Sequence, residues 1–136
     1  MISESEMVEK IKIFFEEKGF KVVTEVPMLS KRIDVVCIKP QEDYVIAIEA
    51  KLRNWKKGIR QASTYRVGSD FVYLAIHRKF SHRVNKTLLK KASVGLIIVD
   101  QKEVEIRDSA PNHQIIHDRI RGEIVSYCGG ENLARI

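Results

Sequence analysis

Residues 31–51, KRIDVVCIKPQEDYVIAIEAK, hold two apolar runs, Ile33–Ile38 and Tyr44–Ala50, joined by a polar connector, Lys39–Asp43, that contains Pro40. Runs of this length, rich in Val and Ile and separated by turn residues, read as two strands of a hairpin. The charges inside them set them apart. Asp34 sits within the first run, and Glu49 and Lys51 close the second. Side chains alternate faces along a strand, so Glu49 and Lys51 project to one side and Ala50 to the other. Pairing with the Asp34 strand would gather two carboxylates and an ammonium on one face of a sheet.

A charge inside an apolar strand is costly to bury unless it is paired or bound to a metal. Two readings follow. One is a structural ion pair, Asp34 or Glu49 with Lys51. The other is a divalent-metal site, in which Asp34, Glu49 and the Ala50 carbonyl offer hard oxygen donors. Such donors suit Mg²⁺, which binds through few protein ligands and keeps several waters. Lys51 would then hold an attacking water or stabilise charge developing on a phosphate.

Asp34 followed, after fourteen intervening residues, by Glu49-Ala50-Lys51 resembles the D…(D/E)xK signature of the PD-(D/E)xK nuclease superfamily. Gln61-Ala62-Ser63-Thr64-Tyr65 downstream resembles the QxxxY motif of its RecB-like branch, beside the archaeal resolvases. Ile33 stands where that superfamily often has a proline. The resemblance implies an α/β fold with a restriction-endonuclease-like core, a mixed central β-sheet flanked by α-helices in αβββαβ order. It implies catalytic roles for Asp34, Glu49 and Lys51, with Asp34, Glu49 and Ala50 holding Mg²⁺ (Mn²⁺ substituting), and places Gln61 and Tyr65 near the catalytic centre in contact with nucleic acid. A glutamate on the first helix approaches the metal in relatives of this shape, and Glu4 is the candidate here, with Glu6 behind it. Glu25, near the end of the first strand, is a further carboxylate whose direction the sequence leaves open.

The chain has 136 residues, 44% of them hydrophobic, which is enough for one domain with a genuine core. We expect the nuclease-like core over residues 1–110, and residues 111–136 as a small C-terminal extension packing on it or forming an oligomer interface. No apolar stretch approaches the roughly 20 residues that span a bilayer, and MISESEMVEK is too acidic for a secretory signal. Cys37 and Cys128 are far apart and show no metal-ligand spacing. Reduced thiols and a cytoplasmic location are the simplest expectation.

The net charge of +6 and pI near 9.4 favour anionic partners. Lys51, Arg53, Lys56, Lys57, Arg60 and Arg66 form a basic block beside the proposed site, and Arg78, Lys79, Arg83, Lys86, Lys90 and Lys91 form a second. Arg32, Arg53, Trp55, Lys56, Lys57, Arg60, Gln61 and Tyr65 are the expected nucleic-acid contacts, although solvated helix faces and a packing role for Trp55 would read alike.

Along the chain we expect an amphipathic helix over 3–18, with Ser3 and Glu6 as capping box and Gly19 as its stop. A strand Phe20–Val26 ended by Pro27, the hairpin, and a helix from Lys56 to Val67 follow. Then come a strand Asp70–His77, a helix capped by Ser81 and running to Ala92, a strand Val94–Val99, and a short partner at Glu103–Arg107. The stretch Gln114–Tyr127 has helical character interrupted by Gly122 and ended by Gly129-Gly130. His113 and His117, a turn apart, lack a third ligand nearby in sequence. The expected function is a metal-dependent endonuclease on DNA (restriction, repair or resolvase type) acting as a homodimer. The alternatives are a catalytically silent or partner-dependent nucleic-acid-binding module of the same fold, and a basic α/β interaction protein.

Overall fold

The computed structural model describes residues 1–39, 44–112 and 115–129. Most of the expected connector (40–43), together with His113, Gln114 and Gly130, lies outside the described residues.

Ser3 starts the first helix, α1 (Glu4–Glu17), because its hydroxyl accepts the Glu6 N–H while its own N–H donates to the Glu6 carboxylate. Two otherwise orphaned donors are thereby satisfied. Met7, Ile11 and Phe15 are the buried stripe of α1, each stabilising by roughly 1.5–3 kcal/mol. Gly19, at φ +89°, lets the chain leave the helix. Strands β1 (Lys21–Met28), β2 (Lys31–Ile38) and β3 (Val45–Lys51) follow, then α2 (Trp55–Thr64), which runs into a 3₁₀ turn at Tyr65–Val67. The rest is β4 (Phe71–His77), a 3₁₀ stretch at Arg78–Arg83, α3 (Lys86–Lys91), β5 (Gly95–Val99), β6 (Val104–Asp108) and α4 (Asp118–Tyr127).

The strands form one mixed six-stranded sheet in the order β1-β2-β3-β4-β5-β6. β1–β2–β3 and β5–β6 pair antiparallel; β3–β4 and β4–β5 pair parallel, joined through α2 and α3. α1 covers one face, against Val35, Ile48, Ala75 and Ile97. α2, α3 and α4 cover the other, against Val36, Ala47, Leu74 and Ile98. The parallel strands are therefore buried on both sides and carry near-continuous apolar sequence. The α/β class, with its opening αβββαβ order, is as the sequence implied. Arg121 on α4 bonds the Asp70 carboxylate at 3.1 Å, and Ile124 and Val125 enter the core beneath it.

Three element boundaries differ from expectation. β1 continues through Pro27 to Met28, because β1 is an edge strand and proline can stand there without breaking the ladder. Ser81 caps no helix: its hydroxyl bonds the Arg78 carbonyl, and Asn85 caps the shorter α3 by accepting from Thr87 and Leu88 N–H. Gly122 lies inside α4 without interrupting it, and the His117 side chain caps that helix by accepting from Ile120 N–H.

Two irregularities shape the site. The β1–β2 pairing runs Thr24 with Val35 and Val26 with Ile33, skipping the row of Glu25 and Asp34 between them. Across that row the alternation of faces slips: Val22 packs on the α1 side and Val26 on the other, although four residues apart they would share a face in a regular strand. Glu25 takes φ +55°, a strained value for a non-glycine residue. The second irregularity is Gly58 on α2, where an added Cβ would lie 2.5 Å from Leu74 Cδ1 and 3.0 Å from Lys51 Cγ. A residue without a side chain lets α2 sit directly on β3 and β4.

Candidate active site

The slipped row determines where the charges go. β2–β3 pairing stops at Val35 with Ile48, one row short of Asp34 and Glu49. Ala50 N–H meets no backbone carbonyl of β2 in that row and donates instead to the Asp34 side chain, at Oδ2, 2.8 Å away. Glu49, one residue back on β3, is 3% exposed. Lys51 Nζ stands 3.3 Å from Glu49 Oε2. The Tyr65 hydroxyl, where α2 tightens into its 3₁₀ turn, donates to Glu49 Oε1 and also lies 3.2 Å from the Arg32 carbonyl. Glu4, at the start of α1, accepts the Leu52 N–H at 3.1 Å. Glu4, Glu25, Asp34 and Ala50 line one cavity of about 380 Å³ under α1.

The electrostatics are lopsided. Burial pushes the Glu49 carboxyl up to about 7; neighbouring Asp34 adds to the rise, while the Tyr65 hydrogen bond and Lys51 oppose it. Burial also raises Asp34 above the usual carboxylate range, against the pull of the Ala50 N–H. The Tyr65 hydroxyl is raised by burial and then by Glu49, so it remains a proton donor to that carboxylate. Two carboxyls thus stand near one ammonium, and burial outweighs that cation in setting their proton affinity.

The structure brings Asp34, Glu49, Ala50, Lys51 and Tyr65 into one connected cluster, with Glu4 attached through Leu52. Among the described residues Gln61 makes no hydrogen bond to them, and its buried Oε1 finds no partner. Arg53, Lys56, Lys57 and Arg60 are exposed beside the site and Trp55 is half-buried. The Arg32 guanidinium bonds the Glu25 carbonyl at 3.2 Å, so its side chain closes the slipped row. His117 is spent on capping α4. Among the described residues no group of three or more His, Cys, Asp or Glu side chains stands close enough to hold a metal. What sequence reasoning missed is backbone: the Ala50 and Leu52 N–H donors and the Arg32 carbonyl carry no side-chain signature.

The chain matches the family model of the MmcB-like DNA repair proteins over residues 3–129. It belongs to that family. Among solved structures it is similar to a protein of unknown function from Silicibacter pomeroyi at 20% identity, covering 98% of this chain and 92% of that one with a TM-score of 0.71. At that identity the likeness is one of fold alone. Looser similarity is found to a repair endonuclease from Pyrococcus abyssi (19% identity, 74% of this chain and 48% of that one, TM-score 0.49). The same holds for SfsA from Pyrococcus furiosus in complex with Ca²⁺ (13% identity, 77% and 60%, TM-score 0.40). No curated protein matches the chain. No helix among the described residues is long and apolar enough to cross a membrane.

Proposed function

We propose that this MmcB-like protein is a metal-dependent DNA endonuclease of the PD-(D/E)xK type, with Asp34, Glu49 and Lys51 as its catalytic residues. The observation that carries the reading is Glu49: a buried carboxyl pushed up to about 7 while held by Lys51 and Tyr65 beside Asp34. Carboxyls left short of compensating charge are what a cation would relieve, and hard oxygen donors fit Mg²⁺ or Mn²⁺ held by Asp34, Glu49 and the Ala50 carbonyl. The buried, unpartnered Gln61 Oε1 is a further oxygen in need of a donor. When bound, such an ion supplies an acidified water and neutralises charge on the scissile phosphate.

The chain's own groups do the rest. Tyr65 fixes the orientation of Glu49 and keeps its own proton. Lys51 presents an ammonium beside Glu49, where it stabilises negative charge developing on a phosphate oxygen. Asp34 is anchored through one carboxylate oxygen by the Ala50 N–H. Arg53, Lys56, Lys57 and Arg60 hold the DNA backbone, giving salt-dependent binding with little base readout. The Gln61–Tyr65 pair supports the QxxxY branch, Glu4 attends from α1, and a homodimer would supply the second active site that double-strand cutting needs.

The test is cleavage of supercoiled, linear, single-stranded and four-way-junction DNA with Mg²⁺ or Mn²⁺, wild type beside Asp34→Ala and Lys51→Ala. Metal-dependent cutting lost in both variants is the expected result. A second reading, a binding module without catalysis, draws on the lack of a three-ligand cluster among the described residues. Salt-sensitive binding without cutting, unchanged in both variants, would favour it.

A further inference from the structure

Lys91 of the second basic block meets Lys56 and Arg60 of the first across the gap between α2 and α3. A cavity of about 430 Å³ there is lined by Trp55, Lys56, Ile59, Arg60, Leu88 and Lys91. Trp55 and Ile59 are one turn apart on the edge of α2 that faces α3, whereas Gly58 and Ala62 turn towards the sheet. No acidic side chain lines the cavity. Lys56, Arg60 and Lys91 are exposed, and among the described residues none of them makes an ion pair. Lys56 Nζ stands 5.5 Å from the Trp55 ring centroid. Leu88 is left 42% exposed at the rim.

Solvated helix faces explain the cations but not a half-buried indole and an exposed leucine set among them. A duplex backbone would use the cations and leave the apolar lining bare, because paired bases keep their faces stacked on one another. An unpaired base uses both: its face stacks on the indole, and its flanking phosphates meet the three cations. Trp55 follows Lys51 by four residues, so their Cα atoms lie within about 14 Å of each other. A strand held in the groove therefore reaches the carboxylate cluster within a few nucleotides.

We infer that the groove between α2 and α3 binds a single-stranded DNA segment, with Trp55 stacking on an unpaired base and Lys56, Arg60 and Lys91 on its phosphates. This deepens the nuclease reading and rests on it for the choice of DNA. The substrate is then DNA with an unpaired stretch next to the cut.

Trp55 is the only tryptophan of the chain, so its emission reports the groove directly. Oligo(dT), titrated into the full chain without divalent metal, quenches Trp55 fluorescence to saturation. A blunt duplex of the same length, whose binding is followed by anisotropy of a labelled strand, produces no quench. Lys91→Glu weakens oligo(dT) binding about tenfold or more, and Trp55→Phe weakens it less than Trp55→Ala. Equal quenching by duplex, oligo(dT) binding with unchanged emission, or tighter quenching by oligo(U) overturns the inference. Metal-dependent cutting by the same preparation separates the failures. If cutting persists, only the groove assignment falls; if cutting and binding are both absent, the nuclease reading falls with it.

Discussion

Two carboxylate–cation pairs stand near strand ends of the same sheet, and their surroundings push them in opposite directions. Asp100, just past β5, accepts the Lys102 and Glu103 N–H groups and the Arg78 guanidinium. Those hydrogen bonds, the Glu103 N–H first, bring its carboxyl down to about 2. Arg78 continues to Glu105, which in turn holds Arg107. Glu49, by contrast, is buried and raised to about 7 with Lys51 only 3.3 Å away. The first pair is a fastener: every oxygen is answered and water still reaches it. The second stays raised although a cation adjoins it, because burial outweighs the pairing. An ion pair in a strand is thus read by its balance, not by its presence.

The largest expected effect separates the pairs by activity. Lys51→Ala and Asp34→Ala lower the cleavage rate by about 10²–10³-fold, the scale of losing one preorganised stabilising group. Asp100→Ala leaves the rate within about twofold. Rates on the best substrate, measured beside far-ultraviolet circular dichroism of each variant, decide this. Equal losses at both sites would erase the contrast.

Next comes pH. The folded-state carboxyl of Glu49 is raised from 4.5 to about 7, so folding favours its neutral form. That stability is fully present below about pH 4.5 and lost as pH rises through 7, by an amount on the order of 2 kcal/mol. Metal-free wild type therefore melts lower at pH 8 than at pH 5.5, and Glu49→Gln flattens this slope, as thermal unfolding across that range would show. A slope of equal steepness in the variant would remove Glu49 as its cause.

Tyr65→Phe sharpens the same point. Its hydroxyl holds the Glu49 carboxyl down, so removing it moves the proton affinity of Glu49 further up. The pH–rate profile of cleavage shifts to higher pH, with about a tenfold loss at pH 7 and partial recovery near pH 9. An unmoved profile would reduce Tyr65 to packing.

The smallest effect belongs to the fastener. Asp100 has its carboxyl lowered from 3.8 to about 2, so its contribution is present above about pH 4 and lost as pH falls through 2. Asp100→Asn costs about 1 kcal/mol at neutral pH, as expected for a pair still in contact with water, and urea unfolding should show the gap closing in strong acid.

The hairpin, the alternating helices and the late strands were legible because apolar periodicity records burial directly. Asp34, Glu49 and Lys51 stood out because charges inside apolar runs demand a reason. The slip at Glu25 and Asp34 was not legible, since glutamate carries no signal for a positive φ. Nor was the role of Ala50 N–H, a group that every non-proline residue possesses. Ser81 misled because a serine before an apolar stretch resembles a cap, whereas Asn85, nearer the true start, offered the better acceptor. The placing of Lys91 across from Lys56 and Arg60 depends on tertiary packing that local sequence does not encode.

Gly58 ties the two halves of this picture into one lever. α2 carries Tyr65 at one end and Trp55 at the other, and it rests on the sheet through the spot where Gly58 leaves room for Leu74 and the stem of Lys51. A single methyl group there would crowd Leu74 and the Lys51 stem, two side chains of the strands on which α2 rests. The seating of α2 against β3 and β4 thus depends on a position where a hydrogen stands in place of a carbon.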